Sequence, residues 1–138
     1  MCKIGDIIVI EKYIGEDGKM IYRHSFVVIN DKKGYIEGLK YDLVTNVMSS
    51  FKNEMHKKKK LKYKQNIEII DKNILSNRKT NGKTGYIKAD QLIYFNKKKI
   101  DYYVLGHISD ELLNELLTVI EFLSKKKRIK IVTNNLNS

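Results

Sequence analysis

From Ser109 onward the apolar residues of this chain change their spacing. Leu112, Leu113, Leu116, Leu117, Ile120 and Leu123 recur every three or four positions, which places them on one side of a helix. Ser109 stands where an N-cap belongs. Asp110 and Glu111 fall in the first turn and Lys125 to Lys127 near the end, each sign matching the helix dipole. Such a helix must bury its leucine stripe, either against a sheet of the same chain or against a partner chain.

What precedes it reads as short strands. Gly5 to Tyr13 carries the β-branched run Ile7-Ile8-Val9-Ile10, and Gly15-Glu16-Asp17-Gly18 reads as a turn or flexible loop. Ser25 to Asn30 is a second strand. Tyr35 to Phe51 is extended and holds one or two more, and Ile67 to Ile70 is another. Tyr86 to Phe95 is a further strand with a break at Ala89-Asp90, and Asn73 to Gly85 between them is polar and turn-rich. Residues 52–64 contain seven lysines against one acid, Glu54, and suit a solvated loop or a short exposed helix. Several short strands followed by one amphipathic helix predict an α+β, mostly β protein, built on a small, strongly curved antiparallel sheet or barrel. At 138 residues, without an internal repeat or linker, the chain is expected to form one domain: a barrel over about 5–108, a helix over about 109–125 and a tail over 126–138. Within the tail, Arg128 to Val132 is a candidate edge strand.

Charge narrows the partners. Lys and Arg number 27 against 16 for Asp and Glu, a formal net charge of +11, which suits a polyanion such as RNA, DNA or an anionic membrane surface. An AT-rich genome would also supply many Lys, Asn and Ile codons. Cys2 is the only cysteine, so no intrachain disulfide is expected. No apolar run approaches the roughly 20 residues of a membrane span, and Met1 to Asp6 lacks the layout of a signal peptide, so a cytoplasmic location is expected.

Three local patterns, in order, resemble the MazF/PemK/Kid family of toxins. Gly5-Asp6-Ile7-Ile8 is similar to the family's opening strand, and Arg23-His24-Ser25-Phe26-Val27-Val28-Ile29-Asn30-Asp31 to its second. Ala89-Asp90-Gln91-Leu92, followed by a Lys-rich turn, Ile100, Gly106 and the closing helix, is similar to its last segment. Together they span roughly residues 5–124. The resemblance implies an SH3-like barrel with a C-terminal helix, a homodimer, a cognate antitoxin that covers the RNA groove, and cleavage of single-stranded RNA with no metal or cofactor. It also implies catalytic roles for Arg23, at the start of the second strand, and for Ser49 or Ser50 in Met48-Ser49-Ser50, where the family commonly has Ile-Thr-Ser. His24 stands where the family has proline, and the tail beyond Lys125 extends past the family's usual end.

The chemistry of those residues fits such a reaction. RNA carries its own nucleophile, the 2′-hydroxyl, so the protein must move protons and stabilise charge on the phosphorane. Arg23 suits the phosphate, the alternative being a surface arginine in a weak ion pair with Glu16 or Asp17; the resemblance favours the catalytic role. Ser49 and Ser50 offer hydroxyl donors or simply end a strand. His24 has the right acidity, but neighbouring strand residues point to opposite faces, so it is expected to face away if Arg23 faces the groove, with Ser25 on the Arg23 side. His56 reads as solvated and His107 as locally structural. Lys57, Lys58, Lys59, Lys60 and Lys62, with Tyr63 among them, can neutralise phosphates and stack a base, or serve as a solubilising surface. Ser25 and Gln91 complete the candidate RNA-binding set. No metal-ligand spacing and no P-loop pattern is present. Two other readings remain: a non-catalytic nucleic-acid-binding protein of the same fold and, less favoured, a CcdB-like gyrase inhibitor, for which the chain lacks the terminal tryptophan.

Overall fold

A run such as Ile7-Ile8-Val9-Ile10 has no polar face, and a strand built from it needs apolar cover on both sides. The computed structural model, which describes residues 2–70, 74–75 and 85–136, supplies that cover. Strand β1 (Asp6–Ile14) pairs with β2 (Met20–Asn30) in an unbroken antiparallel register from Ile7 opposite Val27 to Ile14 opposite Met20. One core lies on the face of Ile8, Ile10, Phe26 and Val28. A second lies on the face of Ile7 and Val27. The two strands thus form the partition between two cores.

The other strands follow from this pair. A tight hairpin joins β3 (Gly34–Ile36) to β4 (Leu39–Tyr41), turning through Glu37 and Gly38, both at positive φ, 53° and 79°. Strand β5 (Leu43–Ser50) pairs with β2 and then divides its other edge. Its first half pairs with β9 (Gln91–Phe95), and its second half with β8 (Gly85–Lys88). The corner at Ala89-Asp90 separates β8 from β9, as the sequence anticipates, and lets β8 fold out of the plane with β6 (Asn66–Ile69) beside it. On the far side of β1 lies β10 (Tyr102–Ile108), followed by β7 (Ile74–Leu75). Strand β11 (Lys130–Val132) joins β9 in parallel. The path therefore runs β11-β9-β5-β2-β1-β10-β7 and ends on two edges, so the sheet is curved and mostly antiparallel but does not close into a barrel.

Helix α1 (Glu54–Leu61) is the short exposed helix of the lysine segment. Asn53 caps it by accepting from the His56 amide at 2.8 Å, and none of its residues is buried. Helix α2 (Asp110–Lys125) carries the leucine stripe. Ser109 caps it through the Leu112 amide at 3.2 Å, and Leu112, Leu116 and Leu123 are buried in the second core with Ile67, Ile69 and Ile87. It ends in a Schellman-type turn, with Lys127 at φ 56° and the Arg128 amide donating to the Leu123 carbonyl at 2.9 Å. Among the described residues no helix is long and apolar enough to cross a membrane.

Two expectations change. Tyr35 to Phe51 holds three strands rather than one or two, because the Glu37-Gly38 turn folds its first half on itself. Strand β10 was not anticipated, since Gly106 interrupts its apolar pattern and its neighbouring lysines read as a turn. Asn73 to Gly85 lies mostly outside the described residues.

Candidate active site

Alternation along β2 decides which side chains meet. Phe26 stands opposite Val47 of β5, and both face the first core. Two residues back on β2 is His24, and two residues on along β5 is Ser49, so both return to that face. There they line one open cavity of about 600 Å³ with Tyr13, Ile21, Lys88 and Gln91, and with the Glu16-Asp17 turn at its lip. The His24 ring packs edge-on to Phe26 at 6.0 Å between centroids and lies 6.4 Å from Tyr13. Burial holds its pKa below the usual imidazole value. The nearby Lys88 charge pushes it down further, while a hydrogen bond with the Met48 backbone opposes them. His24 is therefore neutral at physiological pH, a free-base imidazole beside a hydroxyl, an amide and a cation.

A second, smaller cavity of about 330 Å³ adjoins the first and shares Glu16, Lys88 and Gln91 with it. Lys60, Tyr63, Asn66 and Lys130 line its outer part. Helix α1 is held against β6, where Lys57 Nζ pairs with Glu68 at 3.1 Å and the Asn66 amide donates to the Lys60 carbonyl at 2.9 Å. The last turn of the helix and the turn that follows it thereby bring Lys60 and Tyr63 to the groove, and Tyr63 is 53% exposed, open to stacking.

Arg23 does not join this cavity. Its backbone adopts the left-handed conformation, φ 48°, and its guanidinium donates to the Tyr103 hydroxyl at 3.2 Å. Tyr103 and Ser25 both stand opposite Val9, so Arg23 and Ser25 share the face turned away from His24 and Ser49. The structure thus places Arg23 and Ser49 on opposite faces of the sheet, with the cavity on the histidine's side. Ser50, one residue past Ser49, pairs with Gly85 and is exposed. Lys58, Lys59 and Lys62 are exposed and line neither cavity, and Lys57 is engaged by Glu68. His56 is capped into the helix start, its Nδ1 accepting from the Lys52 amide at 3.1 Å. His107 is exposed on β10. Tyr13 is core, whereas Tyr22 is 71% exposed.

Four site residues escaped the sequence reading. Lys88 sits at the corner shared by both cavities. Asn46, fully buried, donates through Nδ2 to the carbonyls of Lys88 at 3.1 Å and Gln91 at 2.8 Å, fixing the backbone of both. A polar residue at the centre of Leu43-Val44-Thr45-Asn46-Val47-Met48 was the signal for it. Glu16 bridges the cavities, taking Gln91 Nε2 at 3.1 Å and Lys130 Nζ at 3.2 Å. The tail that supplies Lys130 also pins the lip. Asn135 accepts from the Ile14 amide at 2.7 Å and donates to the Ile14 carbonyl at 2.9 Å, and Asn134 donates to Gly15 at 2.8 Å. Among the described residues no group of three or more His, Cys, Asp or Glu gathers to hold a metal. Compared with known proteins, the chain matches no family model and no curated protein.

Proposed function

We propose that this protein is a toxin-type endoribonuclease that cleaves single-stranded RNA by attack of the 2′-hydroxyl on the adjacent phosphate. The observation that carries the reading is the meeting of a neutral His24 with Ser49, Lys88 and Gln91 in a cavity that opens into the Lys60–Tyr63 groove. His24, which burial keeps in its free-base form, takes the 2′-hydroxyl proton. Lys88 balances the charge of the phosphorane, and Ser49 and Gln91 orient it with neutral donors. Solvent protonates the leaving 5′-oxygen, and the products are a 2′,3′-cyclic phosphate and a 5′-hydroxyl. Tyr63 stacks a base while Lys60 meets the backbone, as single-strand binding requires. No metal or cofactor enters the mechanism.

The curved sheet, with β5 shared between two ladders and α2 across one face, is read as an open SH3-like barrel. The resemblance to MazF/PemK/Kid toxins then supplies the rest of the proposal: a cytoplasmic homodimer held inactive by an antitoxin. Leu117 and Phe122, exposed on α2, are apolar surface suited to pairing. The test is to incubate the purified protein with a mixed single-stranded RNA in EDTA and map the cuts and end groups. Cuts with cyclic-phosphate ends support the reading. Binding without cutting leaves a nucleic-acid-binding protein instead, and strict dependence on Mg²⁺ or Mn²⁺ overturns the mechanism.

A further inference from the structure

A carboxylate seated on two donors marks a place where another anion can sit. Glu16 spends both of its oxygens in this way, Oε1 on Lys130 and Oε2 on Gln91. The two donors are fixed relative to each other, because Lys130 and Gln91 are register partners in the β11–β9 ladder. Lys60 and Lys88 line the same smaller cavity, as does one further acid, Asp90. Three lysines and two carboxylates thus surround the site, and Glu16 is the carboxylate that sits on the donors. The loop that carries Glu16 is tied down at Gly15 and Ile14 by Asn134 and Asn135, which keeps the carboxylate close to its two donors while its side chain stays half exposed.

We propose that this cavity is a phosphate-binding subsite for a polyanion, and that Glu16 is its built-in competitor, displaced when a phosphate takes Lys130 and Gln91. The identity of the polyanion as an RNA strand rests on the function proposed above; the subsite does not. Displacement is open to a multiply charged ligand because the ion pair is well hydrated, with Lys130 and Glu16 side chains 64% and 53% exposed. A phosphate replaces the single carboxylate with more charge and more acceptor oxygens, and Lys60 and Lys88 add to its hold. Glu16 then acts as a threshold: weakly charged ligands fail to open the site, and extended phosphate backbones succeed.

The test measures binding of tripolyphosphate and of a single-stranded oligodeoxynucleotide by calorimetry at low salt, on the intact protein. Glu16→Gln is expected to tighten tripolyphosphate binding by about 2-fold to 5-fold, the scale of one exposed ion pair relieved. Glu121→Gln, which removes the same charge from the Lys125 pair on α2, controls for net charge and is expected to gain less than about 2-fold. Lys130→Gln is expected to weaken binding and to erase most of the Glu16→Gln gain in the double variant. A gain with both ligands assigns the subsite to a strand's backbone phosphates, and a gain with tripolyphosphate alone assigns it to a free polyphosphate. Unchanged or weaker affinity in Glu16→Gln overturns the proposal, as does an equal gain in Glu121→Gln or a full gain surviving Lys130→Gln. Selective tightening in a protein that leaves RNA uncut would refute the nuclease and leave the subsite standing.

Discussion

The Arg23 guanidinium donates to the Tyr103 hydroxyl at 3.2 Å, on the face of the sheet opposite the His24–Ser49 cavity. Its left-handed backbone, φ 48°, falls opposite Glu11 of β1, whose amide continues the β1–β10 ladder by donating to the Asp101 carbonyl at 2.9 Å. At this point the inward-facing series on β2 changes from Phe26 and His24 to Ile21, and on β1 from Ile10 to Tyr13, without loss of register. Arg23 thus marks a twist in the paired strands. Arg23→Ala is expected to keep RNA cleavage within about 3-fold of wild type, while His24→Ala lowers it by about 10²-fold to 10⁴-fold, the usual worth of a general base. Initial rates on one RNA, with circular dichroism as the folding control, decide between them. Loss of cleavage in Arg23→Ala with His24→Ala unaffected would move the chemistry to the other face.

The pH dependence follows from His24. Its folded pKa is held below the ordinary value of 6.5 by burial, so the folded protein keeps the ring neutral where an unfolded chain would protonate it. The unfolded state then binds more protons as pH falls below 6.5, and stability present near neutral pH is lost in that window. His24→Gln is expected to reduce this acid loss, read as the change in urea midpoint between neutral and acid pH. Cleavage should rise with pH and reach its plateau below the ordinary imidazole range. A limb centred above 6.5 would point to a different base.

Much of this was written in local pattern. The two-sided burial of Ile7 to Ile10 needs only its unbroken apolar run, and α2 needs only its stripe and its Ser109 cap. The corner at Ala89-Asp90 shows as a gap between two apolar stretches. The site was harder to read because its members come from β1, β2, β5, β8, β9 and the tail. Alternation correctly separated Arg23 from His24, yet no local rule tells which face carries a cavity. That depends on Val47 standing opposite Phe26, a pairing between residues far apart in sequence. The tail's hold on Glu16 depends on a parallel pairing that a sequence of three strand residues does not announce.

Gly85 offers a test of how tightly Ser49 is placed. A Cβ at Gly85 would run into the backbone carbonyl of Ser49, the residue before Gly85's ladder partner Ser50, and backbone cannot swing aside as a side chain can. Gly85→Ala is expected to destabilise by about 1–3 kcal/mol, the range for overpacking, and to lower cleavage at temperatures where the protein is still folded. Ser49→Ala removes the hydroxyl without moving the strand and is expected to cost about 10-fold to 100-fold in rate, less than a charged donor would. Ser49→Thr keeps the hydroxyl and should stay active. A Gly85→Ala protein with native stability and rate would show that the strand end yields freely.

The lysine helix divides its charges between structure and binding. Lys57 is engaged by Glu68 and lies 5.8 Å from the Phe51 ring centroid, whereas Lys60 reaches the groove. Replacing Lys60 by Gln is therefore expected to reduce the slope of log affinity against log salt by about 0.7, one phosphate contact on a single strand. Lys57→Gln should instead change stability slightly and leave the slope nearly unaltered. Fluorescence titrations of a labelled single-stranded RNA across salt concentrations give both slopes, and equal slopes in the two variants would remove Lys60 from the contact surface.

Asn46 ties the stability of the fold to the geometry of the site. Its amide is the shared donor for the Lys88 and Gln91 carbonyls, one on each side of the Ala89-Asp90 corner, and it is fully buried. Removing it leaves two half-buried acceptors without this donor, and a loss of this kind costs up to about 1–3 kcal/mol where the acceptor stays dry. Asn46→Ala is accordingly expected to destabilise by about 2–4 kcal/mol in urea unfolding, part of it from the lost volume. Asn46→Leu separates the two causes, because it keeps the volume and removes the donor. The Leu variant should remain destabilised and, under conditions where it is folded, should cleave RNA more slowly, since the backbone that aims Lys88 and Gln91 into the cavity is no longer held. If Asn46→Leu is as stable and as active as wild type, the corner holds itself and the amide is not its clamp.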